Sequence, residues 1–158
     1  MGWNVEVEFR ASSVHGTGVY AAEKIPAGTK VWTVDHTMSF FDRETLSALD
    51  RPLLEKVLHG GYYHQPSGRF VWYTDGSQYI NHAPGPHANI GIRQWTPLME
   101  DHCAAFRDIA PGEELFEDYN FWSIFRLQED HWVRGLYQEH CHDHYAFMSS
   151  AFIRQEAA

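Results

Sequence analysis

The stretch DGSQYINHAPGPHANIGI, residues 75–92, gathers recognition chemistry into one turn-rich segment. Asn81 offers an amide that both donates and accepts, His82 an imidazole, and Pro84 and Pro86 stiffen the backbone that follows. Upstream, Gly16 and Gly18 of HGTG allow positive φ and close backbone approach, so a carboxylate or amine can meet main-chain groups near Thr17. Downstream, the phenol of Tyr119 and the rings of Phe121 and Trp122 follow the acidic run GEELFED. Read alone, each has a plainer account: a two-glycine turn, an Asx or Pro turn, and a strand-end tyrosine with one hydrogen bond. Near the C-terminus His140, Cys141, His142 and His144 have ligand chemistry, and His140 and His144 would share a helical face. A closed zinc site needs four ligands, and no second, distant pair accompanies this cluster, so no metal is expected.

The elements that must position these groups are short. WNVEVEF alternates, with Val5, Val7 and Phe9 on one face of a half-buried strand. VYAAEKIPAGTKVWTV reads as two strands about a turn at Pro26 and Gly28. The clearest helical region of the first half is SFFDRETLSALDRPLLEKVLHGG. Asp42 is placed to cap it, Pro52 to break or restart it, and Gly60-Gly61 to stop it. GYYHQPSGRFVWYT reads as a hairpin turning at Pro66-Ser67-Gly68. EKIPAGTKVW and RDIAPGEELF share one turn chemistry, read as convergence and not as a repeat. Ser123 to Ala151 is helix-permissive, aromatic and rich in histidine. An α+β, mostly β domain follows.

Length and composition bound the partners. A chain of 158 residues is a single-domain length with room for a core, and 15% aromatic residues must pack that core or line a cleft. With 12 basic against 21 acidic residues the formal charge is −9, which disfavours nucleic acid and suits a basic peptide or protein. Two cysteines build neither a disulfide framework nor a four-cysteine zinc site. Met1 opens no signal peptide, and no apolar run approaches the roughly 18 residues of a membrane span. A soluble, intracellular, cytoplasmic protein is expected, nuclear if the cell is eukaryotic, with no membrane partner.

Three segments together resemble the SET domain of protein lysine methyltransferases. HGTGVYAAEKIPAGTKV is similar to that family's Gly-x-Gly segment and its Ile-Pro-x-Gly turn. QYINHAPGPHANIGI is similar to its Arg-Phe-Ile-Asn-His-Ser run ending in Pro-Asn. RDIAPGEELFEDYNF is similar to its Gly-Glu-Glu-Leu-x-x-Asp-Tyr run, and order and spacing agree from about Phe9 to Phe121. The resemblance implies small β-sheets with a knot-like crossing of the last two motifs, in a SET domain over 1–122. Residues 123–158 would then form a C-terminal segment packed on it.

It also implies methyl transfer from S-adenosyl-L-methionine to a lysine of a protein or peptide substrate. His15, Gly16, Thr17, Gly18, Asn81, the His82 main chain and Trp122 would hold the cofactor, and Tyr119 would sit where methyl and amine meet. Phe121 would line the lysine channel, with Tyr62, Tyr63 or Tyr73 in place of the tyrosine that many members carry there. The chain departs from the family at Gln78, where an Arg is usual, and at Ala83-Pro84 in place of Ser-Cys. It inserts Gly85-Pro86-His87 and reads VWTVDHTM where many members carry a Glu-Tyr pair. These departures keep open a non-catalytic, SET-like module that binds a protein or peptide, and the aromatic tail leaves a homodimer open. A metal-dependent hydrolase finds no ligand spacing among the eleven histidines.

Overall fold

The computed structural model describes residues 2–92, 102–122 and 124–156, with backbone alone for 121–122 and 151–156. These residues fall into two compact units, one of 1–38 with 73–121, the other of 39–72 with 122–158.

The first unit holds a two-stranded and a five-stranded sheet. β1 (Val7–Ala11) and β2 (Thr17–Ala21) form an antiparallel pair closed by the loop that carries Gly16, whose φ is +51°. Phe9 does not bury as the alternation predicts; it is 46% exposed. Its ring meets Trp3 and Tyr79 edge-on and fills the space beside Gly76 that a Cβ would need, so it packs along the surface. β3 (Lys30–Thr33) follows the expected turn, where Gly28 takes φ +82°.

The two look-alike turns meet in space. Ile25 and Ile109 exchange both backbone hydrogen bonds, at 3.0 and 2.9 Å, and Gly112 repeats the left-handed turn at φ +80°. Val19, Val31, Ile90 and Leu115 close around these isoleucines as a core without solvent exposure. Each such side chain contributes about 1.5–3 kcal/mol of apolar burial.

β7 (Asn81–His82), β8 (Ile90–Gly91), β9 (His102–Ala105) and β10 (Phe116–Glu117) complete the larger sheet, in the order β3-β9-β8-β10-β7. β10 therefore lies between two strands that precede it closely in the chain, parallel to both. This is the knot-like crossing. Asn89 holds it, accepting from the Phe116 N–H at 2.8 Å and donating to the Glu114 carbonyl at 2.8 Å.

The second unit has a three-stranded sheet, β4 (Ser39–Phe41), β6 (Arg69–Trp72) and β5 (Gly61–His64), with β6 in the centre. The single helical region read from sequence is two helices. α1 (Arg43–Ser47) is capped by Asp42 through Thr45 N–H, and α2 (Arg51–Gly60) by Asp50 through Leu53 N–H. Pro52 fits the first turn of α2, where no N–H partner is needed. α3 (Trp132–His140) and α4 (His142–Glu156) follow, and Val133 and Tyr137 pack with Leu46, Val57, Leu58 and Phe70. No helix among the described residues is long and apolar enough to cross a membrane.

Candidate active site at the strand crossing

The site grows from the pairing of β7 with β10. That pairing sets Asn81 beside Phe116 and His82 beside Glu117, two residues short of Tyr119. Asn81 is buried and its amide nitrogen faces three acceptors: the His15 carbonyl at 3.1 Å, the Thr17 carbonyl at 3.3 Å and Glu114 Oε1 at 2.9 Å. Asn81 thus ties the glycine loop to the crossing, and its Oδ1 is the acceptor that remains. His15, Gly16 and Thr17 are exposed, and the position a Gly16 Cβ would take is open space.

Glu114 is the residue that sequence reasoning passed over. It is 8% exposed, and besides Asn81 it accepts from Ser12 Oγ at 3.1 Å and the Tyr20 hydroxyl at 3.0 Å. A Cβ on Gly18 would stand 2.2 Å from Glu114 Oε1, so this glycine is required by a carboxylate and not by its φ. The signal was present as the second acid of GEEL, but nothing local announces which donors it meets.

The Asp-Tyr turn is built from charge. Asp118, 1% exposed, accepts from the Gly85 N–H at 2.9 Å and from Asn120 N–H and Nδ2 at 3.0 and 2.9 Å. The inserted Gly85–His87 turn is thereby fastened to the tyrosine motif. The imidazole of His82 accepts the Tyr119 N–H through Nδ1 at 3.2 Å, a use of that side chain that the motif did not disclose. Tyr119 is 48% exposed, yet its hydroxyl turns inward and donates to the Ile80 carbonyl. Burial of that end, and then the nearby Glu117 carboxylate, push the phenol up to about 12. Glu117 in turn accepts from the Cys103 thiol at 3.0 Å, and burial followed by that carboxylate raises the thiol well above its ordinary range.

The other expected residues are placed as follows. Tyr73 packs edge-on against Trp32 in the first unit. Tyr63 lies on β5 in the second, against His131 and Trp132. Phe121 and Trp122 continue the single 3₁₀ turn begun at Tyr119, and their side chains lie outside the described residues. Gln78 sits in the turn before Asn81 with its Oε1 buried and unpartnered among the described residues. Cys141 comes within 3.9 Å of His59 Nδ1, and no group of three or more His, Cys, Asp or Glu among the described residues is arranged to hold a metal ion.

The arrangement is a glycine loop tied by Asn81 to a parallel strand crossing, with Tyr119 at its end. The sequence model of the SET domain matches residues 16–120. The chain belongs to the SET domain family. Among solved structures it is similar to a humanized mutant of the Chaetomium thermophilum Polycomb Repressive Complex 2 bound to the inhibitor GSK126. That likeness has 25% identity and a TM-score of 0.51, over 73% of this chain and 15% of that one. It is similar in fold to ctPRC2 in an autoinhibited conformation bound to S-adenosylmethionine, at 21% identity and TM-score 0.55, over 85% and 17%. A Plasmodium falciparum candidate histone methyltransferase shares the fold at 17% identity and TM-score 0.51, over 73% of this SET chain and 94% of that one. The chain spans about 15% of the length of the first of these structures. No curated protein matches it significantly.

Proposed function

We propose that this SET domain, taken as residues 1–122 with 123–158 as its C-terminal segment, transfers a methyl group from S-adenosyl-L-methionine to a lysine of a protein or peptide. The observation that carries the reading is the Asn81 amide, which joins the exposed glycine loop to the crossing that ends in Tyr119. The residues present fit the cofactor's amino-acid end: Asn81 Oδ1 is an acceptor for its ammonium, and the loop bonded to Asn81 is exposed at His15, Gly16 and Thr17. The His82 main chain and Trp122 would take the adenine side, and Tyr63, Tyr73 or Phe121 the lysine channel. S-adenosylmethionine, when bound, supplies a methyl carbon activated by sulfonium.

The chain's own contribution is alignment and dryness. Tyr119 keeps its proton at neutral pH, since its phenol lies near 12, so it orients and does not act as a base. With its hydroxyl hydrogen given to Ile80, its oxygen presents lone pairs for weak C–H···O contacts. Alignment of the reacting atoms is an entropic service, and an apolar channel favours the neutral amine that must attack. The excess of 21 acidic over 12 basic residues suits a basic substrate.

The departures of the sequence favour the non-catalytic reading: Gln78 and Ala83-Pro84 flank Asn81-His82 in place of the family's Arg and Ser-Cys, and VWTVDHTM stands where many members carry a Glu-Tyr pair. Calorimetric titration with S-adenosylmethionine separates the two. Wild type is expected to bind, Asn81→Ala to lose binding, and Tyr119→Phe to bind without transferring methyl to a lysine peptide. A folded wild type that takes up no S-adenosylmethionine would leave the peptide-binding module as the account.

A further inference from the structure

The second unit carries a surface cleft of about 630 Å³ walled by α1 and α3. Glu129, Asp130 and Glu139 line it, against Arg43 as the sole lysine or arginine among the described lining residues. Neither Glu129 nor Asp130 forms an ion pair among the described residues, while Glu139 lies 3.6 Å from His140 Nε2. His131 also lines the cleft. Its Nδ1 accepts the Val133 N–H at 3.3 Å, and burial lowers its pKa.

An aromatic wall stands beside the carboxylates. Trp132 is stacked on His131 at 5.8 Å and meets the edge of Tyr63 at 5.9 Å, so its indole is held in place. An apolar ring next to unpaired carboxylates is what a long cationic side chain requires: methylenes on the ring, charge at the acids. Gly135 supplies a third observation. It is exposed in the body of α3, where glycine is disfavoured against alanine, and a Cβ there would meet nothing within 4 Å. Its bare backbone keeps the cleft floor clear.

We propose that this cleft docks an arginine- or lysine-bearing peptide segment, anchoring a basic substrate on a unit other than the one that carries Tyr119. The inference rests on the methyltransferase reading only in calling the peptide a substrate; docking itself needs no cofactor. The carboxylates argue against a nucleic acid in the same place.

The test is fluorescence anisotropy with a short labelled peptide of alternating arginine and serine, at low salt and without S-adenosylmethionine. Glu129→Gln with Asp130→Asn removes charge and keeps shape, and is expected to weaken binding roughly three- to tenfold, as for two exposed ion pairs. Gly135→Leu fills the cleft and is expected to weaken binding at least as much, with a melting temperature equal to or above wild type. Glu6→Gln with Glu23→Gln, the same charge loss on the first unit, leaves binding unchanged. Wild type that fails to bind, cleft variants that bind as wild type, or an equal loss in the control pair would each overturn the proposal. Cleft-dependent peptide binding by a protein that takes up no S-adenosylmethionine would uphold the docking site and remove the methyltransferase reading alone.

Discussion

Replacing Gly18 by alanine tests the architecture of the site, because its cost comes from one identified atom. The added Cβ would lie 2.2 Å from Glu114 Oε1 and 2.8 Å from its Cδ, with Ser12 Cβ next at 3.0 Å. Gly18 pairs with Arg10 in an ordinary β ladder, so no backbone strain enters. Overpacking of this kind costs about 1–3 kcal/mol. Glu114→Ala removes the acceptor of three donors, but Asn81 keeps two carbonyl partners and the two hydroxyls can take water, so its cost is about 2–3 kcal/mol. In the double variant the clash has lost its main partner. The combined cost then falls below the sum of the singles by about 1–2 kcal/mol, within the range of coupling between residues in contact. Denaturant midpoints at constant slope measure all four corners of the cycle. Additive costs would refute the reasoning, since Glu114 would then not be what Gly18 makes room for.

The remaining expectations concern protons and buried polar groups. Spectrophotometric titration should show a phenol ionising near pH 12 that Tyr119→Phe removes. Its folded-state pKa is raised, so the stability linked to it is full below the unfolded value near 10 and is lost as pH rises toward 12. Cys103, buried and hydrogen-bonded to Glu117, should resist aromatic disulfide reagents at mildly alkaline pH until the protein unfolds; fast labelling of native protein would contradict its raised pKa. Glu113 is held below its ordinary pKa, first by Arg107, so its stability contribution is present above about 4.5 and fades as pH falls through the lowered value. Arg107→Ala should flatten the acid limb of the stability profile. Tyr137→Phe should cost about 1–2 kcal/mol by leaving the buried Leu58 carbonyl without its donor, read as a lower melting temperature.

Much of the local structure follows from the sequence alone. Asp42 and Asp50 announce their helices because a carboxylate before a helical turn finds its own N–H partners three residues on. Gly28, Gly68 and Gly112 mark turns because each takes a φ that other residues avoid. The motif content was legible too, since Gly16-Thr17-Gly18, Asn81-His82 and Asp118-Tyr119 follow one another in the order and spacing of a known family.

What only the tertiary structure decided is which distant partner each group meets. The kinship of the two isoleucine turns becomes a contact, Ile25 with Ile109, when the sheet brings them together. The alternation of WNVEVEF predicts a buried Phe9, but burial depends on what lies opposite, and Trp3, Tyr79 and Gly76 take the ring along the surface. Glu114 reads as one acid among 21 until the crossing sets it under Ser12, Tyr20 and Asn81. Local rules act over a few bonds and are written in neighbouring residues. A buried carboxylate's donors arrive from strands far apart in the chain, and the pairing of those strands is a property of the whole fold.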